Sequence, residues 1–320
     1  MMNYLISIVI PAYHAARFIQ NTVDSIVAQT YNNWELIIVD DGSKDDTGAV
    51  IDRIAQNNEK VRTFHQTNGG EVAARRTGVL HATGDWIMFV DADDSLPIDA
   101  VESLLKCANA QVDIVVGTMH VQNMSDDGNI VEDYVWQNSM TGKMSGEKFA
   151  CGVFEIKVQM SAWAKLYRRK LFDGFEWCLD RTIKQNPDLL MNIGLGAKVQ
   201  NVVVSNEVCY DYVIRSGSAS TSGMMPWQGW FRLFDQAEKY ISAYASPAHL
   251  HDSFVHYRLG CFDAMMRHGV INYSSSDVHV QRLLADAKSC QLNDDERKVV
   301  RLLRSRLLRN VFNVWQKLKK

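Results

Sequence analysis

The sequence predicts an α/β protein, a sheet flanked by helices over residues 1–220, with a helical region over 221–320. Three observations carry this. Short β-branched runs alternate with stretches of helical period through the first third of the chain, which implies parallel strands joined by right-handed crossovers. Beyond about residue 222 every convincing periodicity is helical. Two of the apolar runs also end abruptly in carboxylates, at the strand ends where such sheets bind their ligands.

Taken in order, Ile6-Ser7-Ile8-Val9-Ile10 reads as a first strand that Pro11 stops, and residues 17–29 then carry Phe18, Val23, Ile26 and Val27 at helical spacing. Residues 34–39 form a second buried strand ending at Asp40-Asp41-Gly42-Ser43, and 47–57 a second amphipathic helix. A weak third strand over 61–65, a helix over 71–81 and a strand over 85–90 follow, then a helix over 97–108 and a strand over 112–116. From 122 to 146 the sequence turns polar and loses period, which predicts a surface loop or excursion. The α/β pattern resumes over 161–172, 185–196 and 202–214, ending at Arg215-Ser216-Gly217-Ser218. Helices are expected over 227–244, 249–268, 277–290 and 294–319.

With 320 residues, 47% hydrophobic and 22% charged, the chain can bury a full core. A formal net charge of -3 argues against a general nucleic-acid binder, because no global basic field is available to neutralise phosphates. The charge is unevenly spread: from Arg297 to Lys320 there are nine basic residues and no acid. The six cysteines are scattered without a Cys-x-x-Cys pair, so reduced thiols are expected rather than zinc or a disulfide framework. The amino terminus lacks a basic segment and a small-residue cleavage site and reads as a strand, not a signal peptide. No run of about 18 apolar residues occurs to span a membrane.

The most informative stretch is Phe89-Val90-Asp91-Ala92-Asp93-Asp94. Crowded carboxylates repel one another unless a cation intervenes, and hard oxygen ligands suit Mg²⁺ or Mn²⁺. A metal of that kind commonly holds phosphates. Asp40-Asp41 is a second acidic strand end, and a carboxylate there can accept the imide N–H of a nucleobase. As a lone feature it is equally a solvated turn, since Asp41-Gly42 is a good turn signal.

Ser7-Ile8-Val9-Ile10-Pro11-Ala12-Tyr13, Ser25-Ile26-Val27-Ala28-Gln29-Thr30-Tyr31 and Glu35-Leu36-Ile37-Ile38-Val39-Asp40-Asp41-Gly42-Ser43 closely resemble the family 2 glycosyltransferases of the GT-A fold. Asn68-Gly69-Gly70, Ala73-Ala74-Arg75, the Asp91–Asp94 cluster and Trp163-Ala164-Lys165-Leu166-Tyr167 continue the match over about residues 5–220. The resemblance implies a Rossmann-like mixed sheet and an inverting transferase that passes a sugar from a UDP-sugar to an acceptor hydroxyl. It implies that Pro11, Ala12 and Tyr13 border the uracil and that Asp41 bonds it. Asp91 and Ala92 would lie at the donor, and Asp93 would bind the Mn²⁺ or Mg²⁺ that neutralises the departing UDP. Arg75 would support the donor or the acidic clusters, with a structural pairing to Asp40 as the alternative.

An inverting displacement needs a general base on the acceptor side. The family carries it in a Gly-Glu-Asp triplet opening a helix, and the matching segment here is Asn186-Pro187-Asp188, so the resemblance implies Asp188 as the base, with Pro187 in place of the Glu. A plain helix-capping acid is the bland alternative. Trp163 and Lys165 follow the family's Trp-x-Lys pattern, with Ala164 where Asn is common. Trp163 is expected to stack on an acceptor sugar or to fill the core, and Lys165 to reach the pyrophosphate or to snorkel. Arg215 resembles the basic residue of a loop that closes over the donor.

The tail sets Val300, Leu303, Leu307, Val311, Val314 and Leu318 on one helical face, with arginines elsewhere. That pattern suits a helix lying on an anionic membrane, and equally one packed on its own domain. The expectation is a cytoplasmic enzyme, peripheral on the inner membrane, acting on a glycan or lipid-linked acceptor in surface polysaccharide or lipopolysaccharide synthesis. Its rivals are a non-catalytic nucleotide-sugar-binding scaffold and, more weakly, a sugar-phosphate nucleotidyltransferase. The latter would want a Gly-rich, Arg-containing loop where this chain has Pro11-Ala12-Tyr13-His14.

Overall fold

A computed structural model describes residues 3–125, 127, 129–215, 223–269 and 277–305. Its first strands form a parallel core. β1 (Ile6–Ala12) lies between β2 (Trp34–Asp40) and β4 (Trp86–Phe89), and β3 (Val61–His65) adds to β2. Ile6, Ile8 and Ile10 point to one face of the sheet and Val9 to the other, and the two faces seed separate hydrophobic clusters. On the first face α1 (Ile19–Val27) buries Ile19, Val23 and Ile26, and α2 (Thr47–Asn57) buries Ile51 and Ile54, each at helical spacing.

On the opposite face α3 (Glu71–His81) crosses β1 closely. Gly78 makes this approach: a Cβ built there would stand 2.3 Å from Val9 Cγ1. The close packing sets Arg75, one turn earlier, against the carboxyl end of the sheet.

Beyond α4 (Ala100–Leu105) the sheet becomes mixed. β5 (Ile114–Met124) and β8 (Lys165–Arg168) are antiparallel, β8 is antiparallel to β4, and β9 (Val202–Ile214) runs parallel to β5. The strand order is β3-β2-β1-β4-β8-β5-β9-β7, with β6 (Ile130–Val135) paired to β5 and β7 (Gly142–Met144) closing the far edge. The predicted loop over 122–146 is therefore corrected in part. β5 runs eight residues past its predicted end, and β6 continues as its hairpin partner with every side chain exposed. With no buried face, β6 has no alternation to betray it.

α5 (Gly146–Phe154) and α6 (Pro187–Gly196) cover the second face, α7 (Trp227–Ile241) packs on α6 and α8 (Ala248–Arg267) on α5, and α9 (Val278–Asp286) and α10 (Asp294–Arg304) pack on α8. Phe149, Leu190, Phe234, Phe262 and Leu303 belong to one continuous cluster, so the helices share a core with the sheet. In α10, of the two readings of the apolar face, the described part follows the second: Val300 and Leu303 are buried in this cluster. The rest of that face, from Leu307 to Leu318, lies outside the described residues. No helix among the described residues is long and apolar enough to cross a membrane. All six cysteines are free.

Candidate active site

The strand order reverses between β1 and β4, and a cavity of about 530 Å³ opens at their carboxyl ends. Pro11, Ala12 and Tyr13 line it from β1 and the turn after it, Asp41 from the end of β2, and Asp91, Ala92 and Asp93 from the end of β4. Seven of the residues singled out from the sequence thus meet in one place. Tyr13 is 50% exposed and stacks on His14, with ring centroids 4.1 Å apart.

Asp41 is buried, and the backbone N–H groups of Gly69 and Gly70 donate to it at 2.8 and 2.7 Å, joined by Gln66 Nε2 at 2.7 Å. It therefore ties the Asn68-Gly69-Gly70 turn to the strand end. Gly42 is required beside it, because its φ is +72° and a Cβ would meet the Asn68 nitrogen at 2.8 Å. Asp40 faces away from the cavity, accepting from Ser43 N–H and pairing with His65 Nδ1 at 3.1 Å. The alternative of an Arg75–Asp40 pair is thereby corrected.

Arg75 is fully buried and its guanidinium spans three acids: Asp188 Oδ1 at 2.5 Å, Asp91 Oδ1 at 2.9 Å and Glu71 one helical turn before it. Burial raises the Asp91 carboxyl above the usual carboxylate range, against the lowering by Arg75. Asp94 stands well above it too, chiefly through burial and then through the charges of Asp91 and Asp93. Tyr210, from β9, fixes the acidic loop: its hydroxyl accepts from Asp91 N–H at 3.0 Å and donates to Asp94 Oδ2 at 2.8 Å. Among the described residues the Asp93 side chain makes no hydrogen bond or ion pair, while its carbonyl accepts from Arg215 Nη1 at 3.1 Å. Residues 216–222, where a closing loop was expected, lie outside the described residues.

Asp188 stands in the first turn of α6, with Pro187 at the turn's start where its missing N–H costs nothing. Its carboxylate does not cap its own helix. One oxygen takes Arg75, and the other accepts from Ala162 N–H at 2.8 Å. Asn192, one turn on, donates to the Asp188 and Met160 carbonyls and accepts from Tyr167 Oη at 2.9 Å, which locks the helix start to the 160–162 segment.

The expectation for Lys165 is corrected, and that for Trp163 resolves to the second of its two alternatives. Lys165 neither snorkels nor reaches the cavity: it is fully buried, donating to Gln159 Oε1 at 3.2 Å and the Ser161 carbonyl at 2.5 Å, and burial brings its pKa down to about 7. Trp163 is 7% exposed and stacks face to face on Tyr210 at 4.2 Å, so it fills the core rather than presenting an open sugar platform. Sequence reasoning missed Tyr210, Asn192 and the cavity-lining Glu71 and Arg181.

Residues 7–173 match the family described as Glycosyl transferase family 2. The chain is 30% identical to glycosyltransferase GlyA of Streptococcus pneumoniae over 69% of its own length and 32% of that protein's. It is 31% identical to chondroitin synthase of Pasteurella multocida over 69% of its length and 22% of the relative's. The chain therefore spans a third or less of these relatives. In fold it is similar to the crystal structure of S. aureus TarS 1-349 in complex with UDP-GlcNAc, at 17% identity and a TM-score of 0.65, covering 98% of this chain and 87% of that one.

Proposed function

The chain belongs to glycosyl transferase family 2, and on that premise we propose that it transfers a sugar, with inversion, from a UDP-sugar to a hydroxyl of a glycan or lipid-linked acceptor in bacterial polysaccharide synthesis. One observation carries the reading: Asp41, Asp91 and Asp93 line a single cavity, and Asp188 is bound to Asp91 through Arg75. The UDP-GlcNAc complex of TarS, a protein of similar fold, supports a nucleotide-sugar donor.

In this reading Pro11, Ala12 and Tyr13 hold the uracil, with Asp41 accepting its imide N–H. The side chain of Asp93, without a protein partner among the described residues, and that of Asp91 make a hard-oxygen pair suited to Mn²⁺ or Mg²⁺. Among the described residues no group of three or more acidic, histidine or cysteine side chains is arranged to hold a metal ion. The ion, when bound, neutralises negative charge on the leaving diphosphate. Arg215 steadies the Asp93 backbone at the mouth of the cavity.

Asp188 takes the proton of the attacking hydroxyl. Arg75 and Ala162 N–H orient its carboxylate, and the fixed start of α6 keeps that orientation. The test is UDP release from a panel of UDP-sugars with MnCl₂ or with chelator, for wild type and Asp188→Asn. Metal-dependent release that falls in the variant is expected. Metal-dependent UDP binding with no release from any donor, even with glycan acceptors added, would turn the reading toward a nucleotide-sugar-binding scaffold.

A further inference from the structure

A second, larger cavity of about 950 Å³ lies away from the acidic clusters, within the size of small-molecule sites. Its walls are the end of α5, the segment leading into α6, and helices α7, α8 and α10, the last three outside the family match. Phe154, Trp230 and Tyr257 supply aromatic surface, and Lys184 and Asn186 supply polar groups. The Lys184 ammonium has no hydrogen bond or ion pair among the described residues. The Asn186 amide donates to Tyr257 Oη at 2.9 Å.

Its position is what gives this cavity meaning. Asn186 lies two residues before Asp188, and Met160, another lining residue, lies two residues before Ala162, whose N–H holds the Asp188 carboxylate. Arg181, on the same approach to α6, lines the donor cavity. The segment 181–188 thus touches both cavities on its way to Asp188. Two further features lie at the wall and rim of the second cavity. Gly260, in the middle of α8, leaves bare backbone at the wall, and a Cβ built there meets nothing within 4 Å. Ile156, at the rim, holds a left-handed φ of 57° while 58% exposed, an uncommon state for a β-branched residue.

We propose that this cavity binds the acceptor glycan, seating a sugar unit that neighbours the attacking hydroxyl and directing that hydroxyl toward Asp188. Apolar C–H faces of a sugar pack on the aromatic rings, and its hydroxyls accept from Lys184 and pair with Asn186. An acyl chain is disfavoured, because it would desolvate Lys184, Asn186 and the His256–Glu296 pair, which is 2.7 Å long and also lines the wall. The inference rests on the glycosyltransferase reading and assigns acceptor choice to the C-terminal helices.

The experiment compares wild type, Gly260→Ala, Gly260→Trp and Lys184→Glu. Saturation-transfer NMR measures binding of N,N′,N″-triacetylchitotriose, maltotriose and globotriose, and separately of dodecanoate. Calorimetry measures UDP affinity in MnCl₂, and thermal melts confirm folding. At least one trisaccharide should bind wild type and Gly260→Ala and weaken at least tenfold in both Gly260→Trp and Lys184→Glu, with UDP affinity unchanged within twofold. Should Gly260→Trp fail to fold, Lys184→Glu carries the same expectation. Trisaccharide binding untouched by the folded variants, or no trisaccharide bound by wild type, overturns the assignment. Dodecanoate binding that Gly260→Trp abolishes, without trisaccharide binding, overturns it in favour of a lipid. Loss of UDP binding in wild type would instead strike the donor reading and leave the cavity result to stand by itself.

Discussion

Arg75 Nη1 lies 2.5 Å from Asp188 Oδ1, although 113 residues separate them in the chain. The same guanidinium meets Asp91 at 2.9 Å, so one buried cation joins the strand end that faces the cavity proposed for the donor to the helix start that carries the proposed base. Arginine suits this position, because its planar fork can hold two carboxylates in fixed directions while remaining charged. Removing it leaves Asp91 and Asp188 facing each other without compensation.

Arg75→Met should therefore destabilise the fold by about 3–5 kcal/mol, the usual consequence of orphaning buried charges. Arg75→Lys should restore part of that stability and little of the turnover, since a single ammonium cannot orient both carboxylates. Urea denaturation beside a UDP-release assay separates the two effects. Equal recovery of stability and turnover in the lysine variant would reduce Arg75 to a structural counter-ion.

For Asp188 at one end of this link, and for Asp93 two residues beyond Asp91 at the other, distinct losses are expected. Asp188→Asn should keep metal-dependent UDP affinity within about twofold and lower turnover by about 10² to 10⁴, the range associated with a general base. Asp93→Ala should abolish the metal dependence of UDP binding. Calorimetry with MnCl₂ and with chelator distinguishes them, and unchanged turnover in Asp188→Asn would falsify the assigned base.

The parts legible in the sequence were those encoded locally. β1, β2 and α1 declare themselves through β-branched runs and a spacing of three and four, and Asp41, Asp91 and Asp93 do so because they end buried strands. What stayed hidden depends on partners far along the chain. Nothing near Lys165 announces that β8 inserts antiparallel between β4 and β5, or that the lysine is enclosed by carbonyl groups of its own approach loop. A lysine is ordinarily exposed, so the prior pointed outward. The Arg75–Asp188 contact was invisible for the same reason: it exists only once α3 has settled on β1 and α6 has closed over the sheet edge.

Tyr210 is the least expected member of the site and gives a clean test. Its hydroxyl is the common partner of Asp91 N–H and Asp94 Oδ2, and its ring is stacked on Trp163. Tyr210→Phe preserves the stack and deletes only the hydroxyl, leaving both partners short of a hydrogen bond at a cost of about 1–3 kcal/mol. Because the loosened loop carries Asp93, affinity for UDP with MnCl₂ should fall as well. Thermal melts and calorimetry would show both, whereas a stability loss with unchanged affinity would mean that the bonds from Thr22, Val213 and Arg215 hold the loop without the Tyr210 hydroxyl.

Lys165 predicts a specific pH signature. Burial brings its pKa from the ordinary 10.5 to about 7 in the folded protein. Between those values the unfolded chain binds a proton that the folded protein lacks, so stability rises with pH across this window, by up to about 1.4 kcal/mol per unit. Below about pH 7 both states carry the proton, and the cost of the buried ammonium is present in full and constant. Lys165→Met removes the titrating group while keeping the side chain long and apolar. The stability of wild type minus that of Lys165→Met should therefore be flat in acid and climb from neutrality toward pH 9. Urea denaturation of both proteins at four pH values between 6 and 9 measures this difference, and a flat line across the range would mean that water reaches the ammonium in the folded state.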